Sequence, residues 1–499
     1  MRRNKFNLSC YKLLSCDMGE LIPCNVLEVL PGDTIQHATN VLLRVSPLLA
    51  PVMHPVHMKL HHWFVPHRLV WDDWEAFITG GPDGNDASTF PTLTIDSTIG
   101  AAGGLADYLG YPTKSSGSYV SSALPFRGYS LIWNEWYRDQ DLETELTIDK
   151  TDGTDSTTNT SLQNVSWEKD YFTSARPWTQ KGDAVTVPLA GTAPVKGIAV
   201  GDVNPTGAGP VTVRETGEGG STSSWNDNWA TSSTAFYIEE DGSQANYPGI
   251  FADLAAATGA NIADLRNAFA LQRYKEARAR YGSRYSEYLR YLGVRSSDAR
   301  LQRPEYLGGG RQVIQFSEVL ATAETGTSVD VGDIKGHGIG AMRTNRYRRF
   351  FEEHGYVFSL LSVKPKTMYY QGIPRTYNRR VKEDFWQKEL EHIGQQAVLN
   401  KELYEPHATP EGTFGYQDRY DEYRRCTSSI GGEFRESTLN FWHMARQFSS
   451  DPALNATFVK SNPTDRVYAV TTKDVLWIMA NHSVQARRML SKTGTSHIF

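Results

Sequence analysis

Cysteine is scarce in this chain of 499 residues, which contains only four. Four cysteines cannot supply the disulfide framework of a protein this long, and Cys10 and Cys16 lack the Cys-x₂-Cys spacing of a zinc site. We therefore expect free thiols, as in proteins made in a reducing cytoplasm. No motif indicates a cofactor; a structural divalent cation is compatible with the sequence but is not predicted from it.

Long hydrophobic runs are also absent. No apolar segment approaches the ~20 residues that a membrane-spanning helix needs. The N-terminus begins with basic residues but is not followed by the apolar stretch of a signal peptide. We expect no insertion into a membrane.

Positive charge is not in excess, because 51 lysines and arginines face 56 aspartates and glutamates and give a net charge of −5. The molecule as a whole is therefore not a cationic nucleic-acid-binding protein. Any affinity for nucleic acid must come from local basic patches.

Catalytic motifs are missing as well. The chain has no G-x-S-x-G, H-E-x-x-H or EF-hand pattern. The glycine-rich run 336–340 has neither spacing of a nucleotide-binding loop, so we interpret it as a flexible turn. We predict that the protein is not an enzyme. Adjacent carboxylates such as Asp72 and Asp73, in an aromatic-rich chain, leave a carbohydrate-active β-sandwich enzyme or a lectin as the alternative.

Turn-forming and aromatic residues are abundant: there are 42 glycines and 23 prolines, and 11% of the residues are aromatic. This composition indicates a β-rich protein with many turns. Apolar patterns predict strands at 22–30, 35–45, 56–65, 356–363, 467–470 and 475–479. In the segment 56–65, Val56, Met58 and Leu60 alternate with polar residues, which is typical of a half-buried strand.

Five histidines lie in or beside this strand, and they invite a metal hypothesis: His54, His57, His61, His62 and His67. Four residues of strand separate His57 from His61 by about 13 Å, which is too far for one ion to bind both. We expect these histidines to be polar groups of the core or of an interface.

Helical spacing of apolar residues occurs in four places. It predicts helices over 70–78, 129–142, 262–292 and 381–392. In the third, Asn261 is placed to cap the start and Gly293 to end the helix.

Two polar excursions interrupt these elements. The segment 149–161 predicts a solvated loop. The segment 196–248 is rich in glycine, proline, serine and threonine and cannot build a core of its own. We also expect long loops to expose apolar residues that need partners, including Phe172, Trp178, Trp225 and Trp229.

Three basic clusters are candidates for contact with single-stranded nucleic acid, because cations can follow phosphates while rings stack on bases. They comprise Arg346, Tyr347, Arg348 and Arg349; Arg379 and Arg380; and Arg487, Arg488 and Lys492 in a basic C-terminal segment, 484–499. The alternative is that the first two clusters pair with nearby carboxylates at subunit contacts, namely Glu352, Glu353, Glu383 and Asp384.

Several sequence blocks occur in the order found in one protein family. They are LIPCNVLEVLPGDT, RVSP, LHHWFVPHRLVWDDWEAFITGG, DYFTSARPWTQKG, ADLRNAFALQRYKEARARYGSRY, SSDARLQRPEYLGGG, RRFFEEHGYVFSLLSVKPKTMYYQGIPR and QARRML. With these blocks the chain resembles the major capsid protein of the microviruses, small icosahedral phages with single-stranded DNA, and within them the gokushovirus branch.

The resemblance implies a mainly β fold: a single eight-stranded antiparallel jelly roll over 1–499 with long loop insertions and several short helices. It implies that sixty copies assemble into a T=1 shell around a circular single-stranded DNA genome, in the cytoplasm of a host bacterium. Internal scaffolding proteins, minor virion proteins and a host receptor are the implied further partners. The segment 196–248 falls where this branch has a surface insertion at the threefold axes, which makes Trp225 and Trp229 candidates for host attachment.

Overall fold

The computed structural model describes residues 3–82, 85–185, 262–281, 284–294, 297–322 and 331–492, together with short strands between 195 and 252. Its strands, numbered in chain order, are β1 (Asn4–Asn7), β2 (Cys10–Cys16), β3 (Leu21–Val29), β4 (Thr34–Val45), β5 (Val56–Pro66), β6 (Thr92–Ile95), β7 (Tyr119–Ser122), β8 (Val195–Lys196), β9 (Ile198–Gly201), β10 (Thr212–Arg214), β11 (Thr222–Ser224), β12 (Ala235–Ile238), β13 (Phe251–Ala252), β14 (Glu305–Val313), β15 (Gln315–Leu320), β16 (Ile334–Arg343), β17 (Tyr347–Phe350), β18 (Gly355–Pro365), β19 (Gln395–Leu399), β20 (Thr413–Asp418) and β21 (Leu476–Arg488).

The helices are short except for one. They are α1 (Trp74–Thr79), α2 (Leu105–Leu109), α3 (Leu124–Ile132), α4 (Ile262–Tyr281), α5 (Tyr285–Tyr291), α6 (Arg375–Asn378), α7 (Asn400–Leu403) and α8 (Ala456–Val459), with a π-helical turn at Trp133–Tyr137 directly after α3. In the part of the chain that the structure describes, no helix is both long enough and apolar enough to span a bilayer.

The chain forms two compact units. The first comprises 1–181 and 278–499, and the second comprises 182–277. The predicted excursion 196–248 falls inside the second unit.

Two antiparallel sheets make up the framework of the first unit. The seven-stranded sheet has the order β1-β21-β4-β16-β15, with β2 also paired to β21 and β17 also paired to β4. The four-stranded sheet has the order β14-β5-β18-β3. The expected mainly β, antiparallel architecture of the viral jelly-roll type is thereby confirmed.

The main core lies between these two sheets. Met58 and Leu60 of β5 meet Leu43 of β4 and Ile478 of β21 in one cluster of buried side chains. Both sheets offer alternating apolar residues to this layer, as sandwiched antiparallel sheets do.

Strand β5 is buried on both faces, so the prediction of a half-buried strand is wrong. Its second face carries Trp63 and Val65, which pack under a cover that includes Phe126 and Tyr129 of α3. The sequence pattern could not show this second layer, because the covering residues lie about sixty positions away in the chain.

The polar loop 149–161 is likewise less solvated than predicted. Asp155 is buried and pairs with Arg127 of α3 at 2.8 Å, and both side chains are fully enclosed. The guanidinium of Arg127 also donates to the carbonyls of Val70 and Thr151. This buried pair fixes the loop to the cover of the four-stranded sheet.

Other local predictions have mixed outcomes. The strands expected at 22–30, 35–45 and 356–363 are confirmed as β3, β4 and β18. The turn expected at 336–340 is wrong, because these residues lie inside β16. The helix expected at 381–392 is also wrong, since only a 3₁₀ turn at Lys382–Asp384 forms there.

The remaining helix predictions are right in kind and inexact in extent. The helix expected at 70–78 begins only at Trp74, and the one expected at 129–142 is replaced by α3 and the π-helical turn. The segment 262–292 forms two helices, α4 and α5. Asn261, the expected cap, lies outside the described residues.

The second unit contains three nested antiparallel ladders. Strand β8 pairs with β13, β9 with β12, and β10 with β11. The ladders β9–β12 and β10–β11 have the same pairing register. The two segments of sequence that separate them, 202–211 and 225–234, are of equal length. The described strands of the excursion thus follow the path of a long β-hairpin.

Candidate nucleic-acid interface

The seven-stranded sheet has one side turned away from the core, which we call the basic face. Because side chains alternate along a strand, Arg487, Gln485 and Trp477 of β21 point to this face, while Ala486 and Val484 point into the core. The pairing of the strands alone therefore places these side chains on the basic face.

The strands of this sheet contain almost no carboxylate. They hold one acidic residue, Glu318, and it lies opposite Gly336, on the other side of the sheet from the basic face. Their lysines and arginines number nine: Lys5, Lys12, Arg44, Lys335, Arg343, Arg348, Arg349, Arg487 and Arg488. A sheet with this imbalance carries a positive potential even though the whole chain is acidic.

At one end of the basic face, cationic side chains lie around the aromatic ring of Phe350. Lys5 pairs with Arg487, which pairs with Thr34, which pairs with Phe350. The guanidinium of Arg3 lies 4.8 Å from the centre of the Phe350 ring. Two residues along β17, Arg348 is exposed in the neighbouring row.

The other end of the basic face exposes apolar side chains. Trp477 is 45% exposed, Met479 is 40% exposed, and Tyr11 and Leu13 of β2 lie beside them and are more exposed still. Arg44 of β4 lies directly opposite Trp477 in the ladder. Large exposed rings next to unpaired cations are the elements of a single-strand binding surface.

The predicted cluster 346–349 divides between two faces. Arg346 and Arg348 are exposed. Arg349 points to the other side of β17 and pairs with Glu305 at 2.6 Å. Tyr347 is buried between the sheets, so its prediction as a base-stacking residue is wrong.

The predicted cluster at 379–380 is mostly satisfied within the chain. Arg379 pairs with Glu422 at 3.2 Å and lies over the ring of Tyr423. Arg380 is exposed, and its backbone N–H donates to Asp384. The alternative of pairing with carboxylates therefore describes Arg379 better, although its partner is Glu422 and not one of the acids expected.

The basic C-terminal segment is only partly a tail. Residues up to Arg488 form the end of β21, and residues 493–499 lie outside the described residues. Arg487 and Lys492 are exposed, whereas Arg488 pairs with the buried carboxylate of Asp33 at 2.9 Å. Arg488 is therefore a structural residue and not a free cation. Trp225 and Trp229 also lie outside the described residues.

Sequence reasoning missed Arg3, Lys5, Arg44 and Trp477 of the basic face. A signal was present, since the first acidic residue of the chain is Asp17 and none occurs between Asp33 and Asp72 or after Asp474. These acid-free stretches supply most of the seven-stranded sheet.

Behind the basic face, Tyr347 joins a cluster of three buried histidines. His37 lies 3.3 Å from His482 between ring nitrogens, and the rings of His37 and His62 are 4.5 Å apart between centres. Burial lowers the pKa of His37 to about 3 and that of His482 to about 4. Because burial lowers their pKa values, these histidines are neutral polar groups of the core near neutral pH.

Comparison with known proteins agrees with this architecture. The sequence pattern of the family described as "Capsid protein (F protein)" matches residues 1–498. The chain is 36% identical to capsid protein VP1 of Bdellovibrio phage phiMH2K, over 95% of this chain and 90% of that protein. It is 34% identical to VP1 of Chlamydia phage 1 and 31% identical to VP1 of Spiroplasma virus 4, again over at least 90% of each chain. The chain therefore belongs to the capsid protein (F protein) family and is a structural protein of a phage virion, not an enzyme.

Proposed function

We propose that the basic face binds the single-stranded DNA genome inside the shell. The observation that carries this proposal is the charge of the basic face, on which strand register places six cations, Lys5, Arg44, Lys335, Arg343, Arg348 and Arg487, whereas the one carboxylate of these strands lies on the opposite side. Among the described residues, no carboxylate lies within 4.0 Å of the charged groups of Lys5, Arg44, Arg348 or Arg487.

The two ends of the basic face have different tasks in this proposal. Lys5, Arg348 and Arg487 replace counterions on phosphates, which favours binding through ion release. Trp477 and Tyr11 stack on bases, each contact contributing about 1–3 kcal/mol without preference for sequence. A genome is held in this way at many sites of many sequences, as a capsid interior requires.

The shell itself has T=1 symmetry with sixty copies of this chain, in keeping with the capsid family to which the chain belongs. It assembles in the cytoplasm of the host bacterium, with internal scaffolding and minor virion proteins as partners. The β-hairpin within 196–248 projects from the outer surface and binds the host receptor. Its ladders of backbone hydrogen bonds support such a role, because a hairpin reaches outward without a core of its own.

Packaging tests the DNA-binding proposal. In a triple variant, Lys5→Gln, Arg348→Gln and Arg487→Gln, shells should form but the fraction of DNA-filled particles on a density gradient should fall. The difference from the parent should be largest at low salt and shrink as salt rises, because each lost phosphate contact removes about 0.7 from the single-strand salt slope and leaves the variant less sensitive to salt.

The matched control removes the same charge elsewhere, at the exposed residues Lys150, Lys382 and Lys388. This control should package DNA like the parent. An unchanged filled fraction in the basic-face variant, or an equal loss in the control, would reject the proposal.

A further inference from the structure

A cavity of about 310 Å³ lies on the four-stranded sheet, on the side away from the main core. Lys59 of β5 and Lys364 of β18 form part of its floor, and the π-helical turn and the start of α5 form its walls. Six cationic side chains line this cavity, against three carboxylates: Lys59, Arg138, Lys169, Arg176, Arg284 and Lys364, against Asp139, Asp141 and Glu287. We call it the cationic cavity.

Three of the six cations already have carboxylate partners. Lys59 pairs with Glu168 at 2.6 Å, Lys169 pairs with Asp139, and Arg176 pairs with Asp141 at 3.0 Å. In contrast, Arg138, Arg284 and Lys364 have no carboxylate within 4.0 Å among the residues described. Among the side chains described at this cavity, cations therefore outnumber carboxylates, and three of the cations make no ion pair.

These three cations also keep unused donors. Lys364 is nine-tenths buried, and its ammonium donates to the carbonyl of Ser166 at 2.5 Å. The terminal guanidinium nitrogens of Arg138 donate to the backbone carbonyl of Glu143 and the side-chain oxygen of Gln140, and one of Arg284 donates to backbone carbonyls. The Nε atom of each arginine is buried without an acceptor among the residues described.

The electrostatic environment of Lys364 points the same way. Burial, together with the neighbouring charge of Lys59, lowers the pKa of Lys364 to about 8, although the carboxylate of Glu168 opposes the shift. An anion close by would offset both effects, because an opposite charge favours the charged form of a lysine.

We propose that the cationic cavity binds a phosphate-sized oxyanion, either free phosphate or the phosphate group of a nucleotide. Such an anion accepts hydrogen bonds from several directions at once, and guanidinium groups match its geometry. It would link Arg284 at the start of α5 to Lys364 near the end of β18, an inner strand of the four-stranded sheet. This inference is independent of DNA binding by the basic face, which lies on the other sheet.

A neighbouring cavity of about 720 Å³ offers a way to distinguish binding of a nucleotide from binding of free phosphate. It shares His61, Trp136 and Tyr137 with the cationic cavity and is lined further by Trp63 and Tyr306. Aromatic walls of this kind can stack on a base. A nucleotide should therefore bind more tightly than phosphate if its base enters this second cavity, and equally well if it does not.

Calorimetric titration of the purified full-length protein tests the proposal, with sodium phosphate, deoxyadenosine monophosphate and sodium chloride compared at equal ionic strength. Phosphate should bind and chloride should not. The variants Lys364→Met and Arg284→Gln should each weaken phosphate binding about tenfold or more. Methionine fills the space of a lysine stem, and removal of a charge surrounded by cations should leave the fold intact; Arg284→Gln provides a second test at a half-buried position.

Lys388→Gln, at an exposed residue outside both the cationic cavity and the basic face, is the control and should bind phosphate like the parent. The triple variant of the basic face should also bind phosphate normally, which separates this proposal from the one on DNA. Absence of phosphate binding by the parent, or unchanged binding in both cavity variants, would overturn the proposal.

Discussion

At the scale of single residues, position within a strand decides what each arginine does. Arg487 and Arg488 are neighbours in sequence, but strand alternation directs Arg487 to solvent and Arg488 to Asp33. The same alternation separates Arg348 from Arg349. Sequence composition pointed to these basic clusters but could not assign roles to their members, because the partner carboxylates, Asp33 in the turn before β4 and Glu305 in β14, are distant in sequence.

This difference predicts opposite effects for two adjacent substitutions. Arg488→Gln should lower the free energy of unfolding by about 1–3 kcal/mol, because the buried carboxylate of Asp33 loses its partner. Arg487→Gln should change it by less than about 0.5 kcal/mol, as exposed sites do. Urea unfolding of both variants beside the parent measures the effect. Equal losses of stability would show that the two side chains are not in different environments.

The histidine cluster predicts how stability depends on pH. The pKa values of His37, His62 and His482 are lowered by burial, so the unfolded chain binds more protons than the folded chain below about pH 6.5. Stability should be fully present above that pH and should be lost as the pH falls towards about 4. His37 and His482 should each account for about 2 kcal/mol at pH 5, from the difference between the ordinary and the lowered pKa of each.

The variant His482→Gln isolates this effect. It lacks one titrating group, so its free energy of unfolding should fall less steeply between neutral pH and about pH 5 than that of the parent. Unfolding curves recorded across this range give both slopes. A variant with the parent's slope would mean that His482 is already protonated or exposed in the folded protein.

At the scale of elements, local period predicted strands well and failed where tertiary packing overrides it. The run 336–340 looks like a turn because of its glycines, yet β16 requires them. A Cβ on Gly336 would lie 2.2 Å from the carbonyl oxygen of Ala50, and one on Gly338 would lie 2.9 Å from the ring of Phe316. Glycine is needed at these positions because neighbouring segments approach the backbone closely. One sequence alone does not show which segments come close.

Burial at this scale was predicted less well than strand position. Phe172, expected to be exposed in a loop, is buried with Phe414 and Phe458 in a separate apolar cluster. Phe269 lies with Ile262 and Leu265 on the apolar face of α4 by helical spacing, yet it is 65% exposed. Long insertions in this fold can form small cores of their own. Helical spacing of apolar residues identifies one face of a helix, but it does not show which residues cover that face.

The hairpin within the second unit predicts the outcome of a deletion. Joining Val195 to Gly249 removes the inner ladders and keeps residues 1–181 and 278–499, which contain both large sheets. Shells should therefore still assemble, because the excursion supplies no part of these sheets, while attachment to host cells should be lost. Electron microscopy and a cell-adsorption assay measure the two properties. Failure to assemble would show that the segment builds the shell itself.

At the scale of the whole molecule, an acidic chain carries a basic sheet. The net charge showed that the chain as a whole is not cationic, but it could not show that the acid-free stretches lie on one surface. The location of these stretches is clear only from the sheet, in which β1 pairs with β21 and β4 pairs with both β21 and β17. Resemblance between sequence blocks predicted the family and the mainly β architecture, and the structure adds the face on which charge and aromatic side chains combine.

Photochemical cross-linking of DNA-filled particles, followed by mass spectrometry of the cross-linked peptides, tests the central claim most directly. Aromatic side chains stacked on bases should cross-link, so the account predicts DNA adducts on peptides that contain Tyr11, Phe350 and Trp477. Adducts confined to peptides outside β1, β2, β4, β17 and β21 would contradict binding of the genome by the basic face.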